Sequence, residues 1–143
     1  MDKVTHLACG ASVTKLDRIA NPKGDVYHAI KASDKSFKGF GEAYFSTILS
    51  GVTKGWKSHS IMTLNLIVPV GTIEFHMRSH DGQIYDKVEI GENFYARLTV
   101  PPKIWVAFTG IGYPLNLLLN IADIQHDPHE SINMPIEHFM LGC

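Results

Sequence analysis

Apolar and polar residues alternate with a period of two through residues 72–79. Ile73, Phe75 and Met77 share one face, and Glu74, His76 and Arg78 share the other. Successive strand residues point to opposite faces, so this segment is read as a half-buried strand. Asp81-Gly82 follows as a turn signal, and Ile84, Val88 and Ile90 mark a returning strand. Upstream, residues 44–49 are aromatic and β-branched, and 63–70 are almost continuously apolar with Pro69 near the end. Downstream, strands are predicted at 97–100, 104–108 and 116–121, separated by Pro101-Pro102 and by Gly110-Ile111-Gly112-Tyr113-Pro114. Asn21-Pro22-Lys23-Gly24-Asp25 reads as a turn that leads into a further strand, 26–30. Many short strands with frequent turn signals predict an all-β sandwich or barrel. No stretch of about twelve residues or more carries a helical period. One short helix is expected near 135–140, after Asp127-Pro128. With no repeat, low-complexity tract or linker, 1–143 is read as a single domain.

Composition sharpens this picture. The chain has 143 residues, 45% of them apolar, enough for one sizeable core without staples. Charged residues are 19%, against roughly 25% in an ordinary soluble domain. Less of the surface is built for water, which points to an oligomer. Thirteen Lys and Arg against 14 Asp and Glu give a net charge of -1. That excludes a strongly basic nucleic-acid binder and an acidic tail, and the apolar content excludes disorder. Cys9 and Cys143 are too few for a disulfide framework and read as reduced thiols, so a cytoplasmic protein is expected. The first residues hold no apolar signal core, and secretion is not expected. The most apolar stretch, 61–73, is broken by Thr63, Asn65, Pro69 and Gly71. It is too short and too polar to span a bilayer, and no membrane partner is expected.

Gly55-Trp56-Lys57-Ser58-His59 precedes the predicted strand 63–70 and Gly71, and residues 100–108 follow later. This pair resembles the two signature motifs of the cupin fold: Gly, His-x-His, Glu and Gly, then Pro-x-Gly-x-x-His. Residues 18–25, 38–46, 51–56, 64–71 and 120–128 bring the resemblance closer to sugar-nucleotide cupins of the dTDP-4-dehydrorhamnose 3,5-epimerase type and their short relatives. The resemblance implies a cupin-type double-stranded β-helix, a jelly-roll barrel. It also implies a nucleotide-linked keto-deoxy sugar as partner, a place in surface polysaccharide synthesis, and a homodimer in which strands from around 44–49 cross to the other subunit.

In metal cupins, two His, a Glu and a later His hold the ion. The matching positions are Lys57, His59, Leu64 and Val106. One imidazole cannot hold a catalytic metal that takes three protein ligands, so neither metal nor other cofactor is expected. The epimerases abstract a proton beside a keto group with a His base, a Tyr acid and a Lys that steadies the enolate. Those positions match Lys57, Leu119 and Leu64, so all three groups are replaced. His59 is left as the neutral-pH base of the motif. Lys57 lies two residues away, on the same strand face. A buried, neutral Lys57 can act as a base, and a charged one can stabilise an enolate. Alternatively, Lys57 stretches to the rim and His59 is a hydrogen-bonded core residue.

The resemblance places Lys23 and Lys54 against the diphosphate, where the family usually has Arg, whose two-pronged grip a lysine lacks. Tyr44, Trp56 and Trp105 are candidate surfaces for stacking a sugar or base, or else ordinary core. His126-Asp127-Pro128-His129-Glu130 reads as a turn rather than a metal site. His76 and His80 are expected in solvent, and Cys9 has no arrangement for a nucleophile. Two functions follow. One is an isomerase- or epimerase-like enzyme on a nucleotide-linked keto-deoxy sugar. The other is a non-catalytic cupin that binds a sugar nucleotide or a pathway partner.

Overall fold

The computed structural model describes residues 3–142, so Cys143 lies outside the described residues. Its strands are numbered along the chain. One antiparallel sheet runs β1 (Val4–His6), β2 (Ser12–Lys15), β10 (Ala96–Val100), β7 (Leu64–Val70), β12 (Leu115–Ala122), β5 (Glu42–Leu49). A second runs β13 (Ser131–Met134), β6 (Thr53–His59), β11 (Trp105–Gly110), β8 (Thr72–Arg78), β9 (Tyr85–Gly91). A small ribbon pairs β3 (Arg18–Ile19) with β4 (Val26–Tyr27). Apart from β1–β2 and β8–β9, neighbours in the two sheets are not consecutive in the chain, as a jelly roll requires. No helix among the described residues is long and apolar enough to cross a membrane.

The inner faces of the two sheets share one core. Ile73, Phe75 and Met77 of β8 are fully buried, and Leu98, Leu66 and Val68 meet them from the other sheet. Each such side chain stabilises the fold by about 1.5–3 kcal/mol relative to exposure. The alternation predicted for 72–79 therefore holds on its apolar side.

The polar side of β8 departs from expectation. His76 is buried, with Nδ1 2.7 Å from the Tyr85 hydroxyl and Nε2 3.2 Å from Glu74. Burial pushes its pKa below the ordinary imidazole value, against the pull of Glu74. Tyr85 of β9 covers the imidazole, with ring centres 6.1 Å apart, and the tail folds back over the outer face of this sheet. Phe139 meets the rings of Trp56 and Trp105 at 5.3 and 5.6 Å. Arg78 donates to the Met140 and Gly142 carbonyls at 2.7 and 2.8 Å. Spread over this face, the tail cannot coil. The helix expected at 135–140 is a single 3₁₀ turn, Ile136–His138, with Phe139 already extended.

The strand predicted at 26–30 is also shorter and pairs only through Val26–Tyr27. Beyond it the chain crosses the outer face of the six-stranded sheet. There Arg97 donates to the Ala29 carbonyl at 2.6 Å, and Asn65 to the Ser36 carbonyl at 3.0 Å. The far end of that sheet stays open. Edge strand β5 exposes Phe45 and Leu49, 65% and 62% accessible.

Candidate active site

The two sheets part at one end around a cavity of about 370 Å³. Lys54, Lys57 and His59 come from β6, Leu64 and Leu66 from β7, and Val106 and Phe108 from β11. Tyr44, Ser46, Leu118 and Asn120 face them from β5 and β12.

Lys57 and His59 share this face through ordinary alternation. Lys54 does not, because a spacing of three should turn it away. Val106 pairs with Lys57 but Phe108 pairs with Lys54, so β6 carries one residue more than β11 between these pairs. The resulting bulge at Gly55-Trp56 returns Lys54 to the cavity side. Its Nζ donates to the Thr47 carbonyl at 2.9 Å and lies 5.7 Å from the centre of the Phe108 ring.

His59 has a partner that the sequence did not announce. Its Nδ1 is 2.6 Å from Oε1 of Glu130, a carboxylate 71 positions away whose side chain is 3% exposed. Oε2 of Glu130 accepts the Ile61 and Met62 amides, each at 2.9 Å. Burial alone would raise this carboxyl. The hydrogen bonds from His59, Met62 and Ile61 outweigh it and hold Glu130 below the usual carboxylate range. An ionised carboxylate only accepts, so Nδ1 carries the imidazole proton. Nε2 keeps its lone pair to serve the cavity that His59 lines, an arrangement that orients a general base. The 126–130 stretch is the turn expected, closed by the Glu130 amide donating to the Asp127 carbonyl at 3.0 Å. The turn also delivers Glu130, which the sequence reading left without a role.

The opposite wall holds a second pair. Asn120 Nδ2 donates to the Tyr44 hydroxyl at 3.0 Å, leaving the phenolic proton to donate elsewhere. Asn120 Oδ1 is buried without a partner among the described residues, which suits it to accept a ligand's hydroxyl. Leu119, matched in sequence to the family's Tyr, does not line the cavity. The inward positions of β12 are Leu118 and Asn120, one residue to either side.

Of the residues singled out in sequence, Tyr44, Lys54, Lys57 and His59 come together here. Trp56 and Trp105 do not: they lie on the outer face under the tail, 1% and 9% exposed. Trp56 Nε1 donates to the Ile136 carbonyl at 3.2 Å, and both rings serve packing rather than stacking a ligand. Lys23 sits in the exposed turn between β3 and β4, its amide held by Asn21 Oδ1 at 2.9 Å, and is not part of the cavity wall. Of the four metal-cupin positions, His59 alone supplies an imidazole.

No protein-family model and no curated protein matches the chain. Solved structures do. A dTDP sugar isomerase from Desulfovibrio desulfuricans is 32% identical over 96% of this chain and 89% of its own, with a TM-score of 0.84. A 3,4-ketoisomerase from Thermoanaerobacterium thermosaccharolyticum, in complex with TDP-4-keto-6-deoxyglucose, is 20% identical over 88% of each chain, TM-score 0.74. A dTDP-6-deoxy-D-glucose-3,5-epimerase from Legionella pneumophila, in complex with dTDP-4-keto-L-rhamnose, is 11% identical over 94% of this chain and 78% of its own, TM-score 0.80. The last two share the fold. The first carries the family: this chain belongs to the sugar-nucleotide cupins of the epimerase and dTDP-sugar isomerase type.

Proposed function

We propose that this protein is an isomerase of a nucleotide-linked keto-deoxy sugar, with the His59–Glu130 pair as its base. The observation that carries this reading is the carboxylate-held imidazole in the wall of the cavity. A C–H beside a keto group is acidified because its electron pair spreads onto the carbonyl oxygen. His59 Nε2 takes that proton, and the Lys57 ammonium stands beside the enolate oxygen. The Tyr44 hydroxyl, held by Asn120, donates from the other wall. Leu64, Leu66, Val106 and Leu118 line the inner part of the cavity, while Tyr44, Lys54 and Lys57 are exposed, so Lys57 is not the buried lysine that the sequence allowed. Lys54, at the bulge, meets the diphosphate. The chemistry runs on side chains, with no metal ion and no other cofactor. Similarity to a dTDP sugar isomerase supports a dTDP-linked sugar as substrate, and the 4-keto-6-deoxy form is the one that this proton abstraction needs. The product would serve surface polysaccharide synthesis in the cytoplasm.

Incubation with dTDP-4-keto-6-deoxyglucose in heavy water tests this. Deuterium beside the keto group is the expected result. Protection against thermal melting without exchange would instead leave a sugar-nucleotide binding protein. Lys57→Ala should suppress exchange and leave affinity within about tenfold, since losing a transition-state group lowers kcat more than binding. Lys54→Ala should weaken dTDP binding and flatten its salt dependence, without removing exchange at saturation.

The same reading makes the protein a homodimer. The exposed apolar face of β5, with Phe45 and Leu49, and the low charge fraction both favour a second copy covering this edge. Sedimentation should give twice the 15.9 kDa chain mass at micromolar concentration. A stable monomer there would rule the dimer out.

A further inference from the structure

A second concavity, of about 600 Å³, lies on the outer face of the six-stranded sheet and shares no residue with the barrel cavity. Its floor follows from alternation. Ala96, Leu98 and Val100 of β10 point into the core, so Arg97 and Thr99 point out, beside Ser12 and Thr14 of β2. The crossing loop overhangs this floor and contributes Lys35 and Lys38.

The charge here is one-sided. Among the described residues, no carboxylate lines this concavity. Asp34, 3.5 Å from Arg97, and Asp17 line an adjoining hollow that also holds Lys3, Lys15 and Lys31. Around the two neighbouring hollows, six of the chain's thirteen cationic side chains stand against two carboxylates, Asp17 and Asp34, in a protein whose net charge is -1. Arg97 is 1% exposed and locked in place by the Ala29 carbonyl and, at 2.8 Å, by the Ser36 hydroxyl. Because that hydroxyl accepts from Arg97, its own proton remains available to donate.

Lys35 and Lys38, exposed beside the fixed Arg97 in a concavity that no carboxylate lines among the described residues, repel one another, and a bound anion relieves that repulsion. Compact lysine ammonium groups with neighbouring hydroxyls suit the tetrahedral oxygens of phosphate. The cavity is larger than one phosphate, so its ligand carries more than the anionic group. We propose that this concavity is a second ligand site, for a phosphorylated small molecule, separate from the barrel cavity.

Inorganic pyrophosphate is the probe, titrated calorimetrically into the full chain at constant ionic strength. Because Lys54 and Lys57 give the barrel its own affinity for a diphosphate, three proteins are compared. Wild type should show two classes of site. The double variant Lys35→Gln, Lys38→Gln should lose one class, with affinity there down by about tenfold or more. It should keep wild-type proton exchange and melting temperature, since both side chains are exposed and outside the barrel site. Lys54→Ala should keep the outer class and lose or weaken the other. The proposal fails if the double variant binds pyrophosphate with wild-type stoichiometry and affinity, if Lys54→Ala removes all binding, or if wild type binds none.

Discussion

Glu130→Gln is expected to lower proton exchange by about 10²–10⁴-fold, the range that a positioned general base contributes. The argument is one of tautomers. Oε2 of Glu130 faces two amide donors, Ile61 and Met62, and Oε1 faces His59 Nδ1. A glutamine amide must choose. Its oxygen goes to the two N–H groups, and its NH₂ is left against the imidazole. Nδ1 must then accept, the ring proton moves to Nε2, and the lone pair that takes the substrate's proton is lost. Heavy-water exchange measures the rate, and nitrogen NMR of the labelled imidazole reads the tautomer. Exchange within about threefold of wild type, with the proton still on Nδ1, would sink the assignment of His59 as base.

The same substitution has a pH signature in stability. The folded carboxyl of Glu130 lies below its ordinary value. Its ionised form therefore contributes stability that is complete above the unfolded pKa, about 4.3, and is lost as pH falls through the lower folded value. The gap in stability between wild type and Glu130→Gln should be full at neutral pH and close in acid.

Asn116→Ala is expected to destabilise the fold by about 3–5 kcal/mol, taking about 1–3 kcal/mol per buried group left unpaired and allowing water to recover part. Asn116 is fully buried and uses its whole amide. Oδ1 accepts from the Thr72 and Gly112 amides at 2.8 and 2.9 Å. Nδ2 donates to the Ile48 and Gly112 carbonyls at 3.1 and 3.0 Å. It thereby ties the turn after β7, the turn before β12 and strand β5 to one point. Leu118 and Asn120 follow on the same strand, so the cavity wall depends on this tie. Melting should drop by roughly 10 °C or more for a chain of this size. A loss below about 1 kcal/mol would show that water or a shifted backbone satisfies the four groups.

Where alternation is regular and the turn chemistry is local, the amino-acid order alone determined structure. Residues 72–78 with the Asp81-Gly82 turn produce the β8–β9 hairpin, because period two and a left-handed glycine (φ of +78° at Gly82) need no distant partner. Lys57 and His59 belong together for the same reason. The motif around them was enough to name the fold, since its strand and glycine spacing survives even where the metal ligands do not.

Tertiary structure decided everything that depends on what lies across a sheet or over it. Trp56, Trp105 and His76 are on polar-side or ambiguous positions; the returning tail makes the two tryptophans core, and Tyr85 of the neighbouring strand covers His76. Lys54 reaches the cavity because β6 has an extra residue relative to β11, and a bulge is a property of the pair of strands. On β12, the cavity is lined by Leu118 and Asn120 and not by Leu119 between them, because successive strand residues face opposite ways. Glu130 reaches His59 across 71 positions, because β13 pairs with β6 and Ser131 lies opposite His59. Sequence periodicity specifies the two faces of a strand. Which strand lies beside it, in what register, and what covers the outer face are set by long-range pairing, and pairing brought the base its carboxylate.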